Sequence, residues 1–150
     1  MQKVTPFLWF DGKAEEASKF YTSIFKNSKV ISTMPGPGGI MSATVDIEGQ
    51  QLTLFNGGPM FKFTEAISLF VLCETQEEID EKWEKLCEGG QPSRCGWLKD
   101  KYGLSWQIIP PVLGKLLSDP DREKSKRVMD AMLKMDKIII KDLQDAYDQK

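Results

Sequence analysis

Gln107 lies in the stretch KYGLSWQIIP, and a glutamine projecting from a strand faces either water or a ligand. After the turn at Tyr102-Gly103 the residues alternate. Leu104, Trp106 and Ile108 fall on one face; Ser105, Gln107 and Ile109 fall on the other. Other chemistry is scarce. The chain has no histidine, which removes His-assisted serine or cysteine catalysis and every His-based metal site. Cys95 has Arg94 and Lys99 nearby in sequence, but a cysteine nucleophile needs a cation or base that lowers its pKa, so a structural role is favoured. Asp46, Glu48, Glu74 and Asp100 sit at strand ends or turns, without the shared-face spacing of an acid/base couple, and read as solvated. PGPGG, Pro35 to Gly39, lacks the Lys-Ser/Thr of a P-loop and precedes a strand rather than a helix, so it reads as a hairpin loop.

The elements that must position these residues belong to one domain of ordinary globular composition, since 150 residues suffice for a sizeable core. Lys and Arg are scattered among Asp and Glu for a net charge of −2, with no basic stripe, so no nucleic-acid partner is expected. No apolar run approaches the about 20 residues that cross a bilayer, so no membrane partner is expected either. MQKVTPFLWFDG lacks the apolar core and small-residue cleavage site of a signal peptide, and three cysteines without a tight motif do not make a disulfide framework. Both point to the cytoplasm. Cys73 and Cys87 read as buried small hydrophobes.

Val4 to Phe10 is a strand with two apolar faces, both expected to be covered, near an edge or bulge because of Pro6. A helix follows, with Asp11 as its cap and Ala14, Ala17, Tyr21 and Ile24 as its buried stripe. Strands are expected at 29–34, 40–47, 51–55 and 67–73, with a phenylalanine-bearing loop from Asn56 to Ala66. Thr75 and Glu78 form a capping box for a helix buried along Ile79, Trp83 and Leu86 and stopped at Gly89-Gly90. CGWLKD and GLSWQII close a last hairpin. Laying Leu8–Ile24 on Phe70–Leu86 needs no gap at a shift of 62, which points to a duplicated βα unit.

The expected fold is therefore α+β, with paired βαβββ modules forming a curved mixed sheet around a cleft over residues 1–110. Residues 111–150 form a helical tail packed on the domain or on a dimer partner. In that tail Val112 to Leu117 is a short helix, and Asp119-Pro120 opens a second with Val128, Met129, Met132 and Leu133 as its stripe. Leu143, Ala146 and Tyr147 mark a third.

FDGKAEEASKFYTSIF, LFNGGPMFKF, AISLFVLCETQEEIDEKWEKL and CGWLKDKYGLSWQIIP, in that order, resemble the vicinal oxygen chelate superfamily. Within it they resemble the PhnB-like branch, labelled 3-demethylubiquinone-9 3-methyltransferase-like. The resemblance implies the paired-module fold, a homodimer and, in metal-dependent relatives, one ligand from the first and fourth strands of each module. Carried over position by position, those ligands fall on Pro6, Thr53 (Leu52 if the register slips), Ser68 and Gln107. Proline has no donor atom and hydroxyls are weak ligands, so only Gln107 could ligate, and one neutral amide does not hold a divalent ion. Neither metal nor cofactor is expected. The methyltransferase label finds no support in a Rossmann pattern, because no glycine-rich strand-to-helix turn with an acidic residue on the next strand is present.

What remains is a neutral floor of Thr53, Ser68, Ser105 and Gln107, with apolar walls from Pro6, Leu8, Phe55, Phe70 and Trp97. That combination suits a small organic ligand. The reading is a metal-free small-molecule-binding protein. Its alternative is an enzyme (lyase, isomerase or transferase) working without histidine or metal, for which Cys95 or Tyr102 are the candidate groups.

Overall fold

The computed structural model describes residues 2–150. Two compact units make up the chain, one ending at Phe63 and the other running from Thr64 to Lys150. The first contains β1 (Phe7–Phe10), α1 (Ala14–Ile24), β2 (Ser28–Gly36), β3 (Gly39–Ile47) and β4 (Gln50–Asn56). Its sheet has the order β1-β4-β3-β2, with β1 parallel to β4 and the other pairs antiparallel. The α1 stripe forms as its spacing requires: Ala14, Ala17, Tyr21 and Ile24 are all buried. They meet a sheet face made of Ala43, Val45, Leu52 and Leu54, also buried. PGPGG is a hairpin loop, with Gly38 and Gly39 at positive φ between β2 and β3.

The cap of α1 differs from expectation. Asp11 does not cap it; Lys13 holds the N-cap position and offers no side-chain bond. The Ala14 N–H donates instead to Asn56 Oδ1 at 2.9 Å, from the far end of β4. The chain thus satisfies the helix start from 42 residues away, which a local capping rule does not see.

The second unit repeats the plan. It has β5 (Ser68–Leu72), α2 (Gln76–Cys87), β6 (Gln91–Pro92), β7 (Trp97–Lys99) and β8 (Ser105–Ile109), in the order β5-β8-β7-β6 with β5 parallel to β8. First-fourth-third-second is the order of both sheets, so the duplication lives in the topology and the α+β class stands. The gapless overlay holds for the helices and fails for the first strands. It places Leu8, 3% exposed, on Phe70, 56% exposed. A shift of 63 brings Leu8 and Phe10 onto Val71 and Cys73, which are half-buried and buried. Thr75 caps α2 as expected, its Oγ1 accepting from Glu78 N–H, but the return bond of the box is shifted: Glu78 Oε1 accepts from Glu74 N–H, one residue before the cap. Ile79 and Leu86 are buried as expected, but Lys82 completes the stripe where Trp83 was expected, and Trp83 is half-buried.

Asp100 requires a second correction. It is not solvated but 2% exposed, between β7 and β8. Its carboxylate accepts from the N–H groups of Tyr102 and Leu104 and from the indole N–H of Trp106 at 2.9 Å. A carboxylate leaves water only where donors replace it, and these three lock the turn that launches β8.

Three helices follow: α3 (Pro111–Leu117), α4 (Arg122–Met132) and α5 (Ile140–Asp148). The second starts later than expected, because Asp121 caps it by accepting from Glu123 and Lys124 N–H and leaves Pro120 outside. Leu113, Leu116, Val128, Ile138 and Leu143 bury around Ile109, the last residue of β8. Met129 and Leu133, expected in that stripe, are exposed. The segment before α5 is stitched to its own unit: Cys95 and Gly96 donate to the carbonyls of Met135 and Asp136, and the Gln76 amide bonds both Ile138 and Ile140. Among the described residues no helix is long and apolar enough to cross a membrane.

Candidate functional site

The alternation along β8 is observed as expected. Trp106 and Ile108 are buried on the core face, and Ser105, Gln107 and Ile109 point the other way. Register then decides their neighbours. Gln107 lies between Phe70 of β5 and Trp97 of β7; Ser105 lies between Ser68 and Lys99. Five expected site residues, Ser68, Phe70, Trp97, Ser105 and Gln107, therefore share one face of the second sheet. Gln107 is half-buried, and its Nε2 donates to Ser68 Oγ at 2.9 Å.

Ser105 stands out on this face. It is 1% exposed, and its Oγ has no hydrogen-bond partner. Leaving a buried hydroxyl unsatisfied costs about 1–3 kcal/mol. Beside it an ion pair joins β7 to the loop that precedes β5. Lys99 of β7 meets Glu65, just ahead of β5, at 2.9 Å. Lys99 holds the Glu65 carboxyl below the usual carboxylate range, first through the hydrogen bond. Sequence reading missed both residues. Lys99 shares the parity of Trp97, which was a legible signal; Glu65 lies in a loop with no periodicity.

The first sheet carries a face of its own. Thr53 stands beside Phe7 and Thr44, and Phe55 stands beside Trp9 and Ser42. Thr44 and Thr53 share a hydroxyl hydrogen bond at 3.1 Å. Phe55 packs on Phe7 and Trp9 with ring centroids 5.2 and 5.3 Å apart. The Trp9 ring also lies on Gly57, where an added Cβ would fall 2.2 Å from it. The register leaves Thr53, not Leu52, on this face, since Leu52 is 1% exposed. Leu8 is not a wall here: it is buried on the opposite, helix-covered face. Pro6, expected as a first-strand position and apolar wall, precedes β1, and Phe7 is the residue paired with Thr53. In VTPFLWF both alternating sets are apolar, which predicts cover on both faces, but Phe7 is 62% exposed and only the Leu8 and Phe10 set is buried.

The remaining candidates stand apart. Cys95 occupies a left-handed turn position with its amide tied to Met135, and Tyr102 sits in the Asp100 turn. Burial pushes the Cys73 thiol up to about 12 and raises Cys87, so neither is an activated nucleophile. A hollow of about 350 Å³ opens beside the 37–39 loop and the start of α1, lined by Glu15, Ile40, Phe55 and Asn56. Only Phe55 among the expected site residues reaches it, and both ends of the Asn56 amide are already used by Ala14 and Ile40.

The donor set does not fit a divalent cation. At the strand positions where chelating relatives carry ligands, this chain offers an amide bonded to a serine hydroxyl and a threonine bonded to a threonine. Among the described residues no group of three or more Cys, Asp or Glu side chains is placed to share an ion.

Residues 2–109 match the family model described as 3-demethylubiquinone-9 3-methyltransferase. The chain belongs to this family. It is a PhnB-like member of the vicinal oxygen chelate superfamily. A PhnB protein from Bacillus cereus is 41% identical, over 73% of this chain and 99% of its own, with a TM-score of 0.68. Protein PA1353 from Pseudomonas aeruginosa shares the fold at 18% identity, covering 73% and 98% of the two chains, with a TM-score of 0.60. So does FosX, a fosfomycin resistance protein from Listeria monocytogenes solved with Mn(II) and sulfate, at 15% identity, 73% and 91% coverage and a TM-score of 0.54. None of the curated proteins matches. Within the family this PhnB-like chain keeps the module topology, and the methyltransferase wording describes the family model, not an observed reaction.

Proposed function

We propose that this PhnB-like protein binds a small organic molecule without a metal ion, on the Gln107-bearing face of the second sheet. The observation that carries the reading is the Gln107–Ser68 hydrogen bond between Phe70 and Trp97. A polar pair that can trade its internal bond for a ligand, flanked by two large rings, has the composition of an organic-ligand site. Phe70 is more than half exposed, an expensive place for a phenylalanine that has nothing to cover. The enzyme alternative lacks an activated group: there is no histidine, and neither Cys95 nor Tyr102 joins the row of strand residues. A homodimer remains part of the proposal, supported by the exposed Phe7, Met60 and Phe61 of the first unit, and sedimentation velocity tests it.

The experiment is metal analysis after exhaustive dialysis, followed by a thermal-shift screen of small organic compounds on the wild type and Gln107→Ala. Sub-stoichiometric metal, with hits that weaken in the variant, supports the proposal. A stoichiometric ion retained after dialysis overturns it.

A further inference from the structure

Ser105 and the Lys99–Glu65 pair belong together, and the neutral floor does not explain them. Register puts Lys99 directly opposite Ser105, on the same face. The Lys99 ammonium is held by a carboxylate that comes from a loop rather than a strand. Beside it, the Ser105 hydroxyl is shut away from water with nothing to bond. A hydroxyl there has an unused donor, and a carboxylate, with about four lone-pair sites, can accept from it and from an ammonium together. Glu65 engages Lys99 and its own backbone N–H. The side chains of Lys99 and Glu65 are 39% and 67% exposed, so the pair is held weakly and can exchange for another anion.

We infer that Lys99 and Ser105 form the anion-reading end of the ligand face, and that Glu65 competes with the ligand for it. The ligand is a small apolar or aromatic monocarboxylate. Its carboxylate displaces that of Glu65 from Lys99, a movement that must open the enclosed Ser105 hydroxyl to it, while its body lies along Gln107 between Phe70 and Trp97. This rests on the proposed ligand face and adds the charge of the ligand and the residue that reads it. Glu65 is a built-in competitor, so removing its charge strengthens binding.

Phenylacetate and its neutral amide, phenylacetamide, are the probes, titrated calorimetrically into wild type, Glu65→Gln and Lys99→Met. Both substitutions are at exposed side chains. Phenylacetate should bind the wild type more tightly than phenylacetamide does. Glu65→Gln should raise phenylacetate affinity by about fivefold, the worth of a surface ion pair, and leave phenylacetamide unchanged. Lys99→Met should erase the preference. Equal binding of the two probes, a preference that survives Lys99→Met, or no gain in Glu65→Gln overturns the inference and leaves the ligand face standing. Failure of both probes to bind the wild type and Glu65→Gln overturns the inference, while the wider compound screen still decides the ligand face.

Discussion

Replacing Ser105 by alanine should stabilise this protein, against the usual direction for a buried residue. The Oγ is enclosed and unbonded, so the folded state carries its desolvation without return. Removing it recovers part of the about 1–3 kcal/mol that an unsatisfied hydroxyl costs, less a small penalty for the space the oxygen filled. A net gain of about 1 kcal/mol is expected, which for a chain of this size raises Tm by about 2–4 °C. Ser68 is the internal control. It is the register partner of Ser105 on β5, but its hydroxyl accepts from Gln107. Ser68→Ala should therefore lose about 1 kcal/mol and lower Tm by a similar amount. Both variants are measured by calorimetry and urea unfolding on protein stripped of small molecules, with m-values required to match wild type. If Ser105→Ala melts below wild type, the hydroxyl has a partner, and its assignment as an unfilled ligand contact fails.

Asp100→Ala strips the acceptor from two backbone N–H groups and from the Trp106 indole, itself 1% exposed. It should cost about 3–5 kcal/mol, read as a lower urea midpoint together with loss of the near-UV signal of Trp106. Gly96→Ala should be similarly damaging, at about 2–4 kcal/mol. The position has φ +84, and a Cβ there falls 2.6 Å from Ile109 Cδ1 and 3.0 Å from the Ile108 carbonyl; thermal unfolding measures it. Burial raises the Cys73 thiol to about 12 and is the leading cause of the shift. A raised folded value means that any stability linked to this group is complete below its ordinary pKa near 9 and is lost as pH climbs toward 12. At pH 8–9 Cys73 should resist iodoacetamide in native protein and label fast in urea. Rapid labelling of native protein, located by mass spectrometry, would contradict its burial.

Legibility in the sequence followed the range of the interaction. The helix stripes through Ala17 and Tyr21, and through Ile79 and Leu86, were readable because one period inside one element encodes them. So was the split of β8 into a Trp106 face and a Gln107 face, where apolar and polar residues alternate. The duplicated order of elements and the missing histidine were likewise present in the linear chain. The covered face of β1 was not readable. Leu8 and Phe10 are no more apolar than Phe7 and Trp9, and only pairing with β4 separates them. The Asn56 cap, the triple bond acceptor at Asp100 and the Lys99–Glu65 pair beside Ser105 were also hidden. Each joins groups whose meeting depends on how a strand or turn is placed against its neighbours, and a hydrogen bond or ion pair of about 3 Å exists only once that placement is made. Residue order determined the elements and the run of uncharged polar residues at Ser105 and Gln107; strand register in three dimensions decided which side chains share their face and which charge stands beside them.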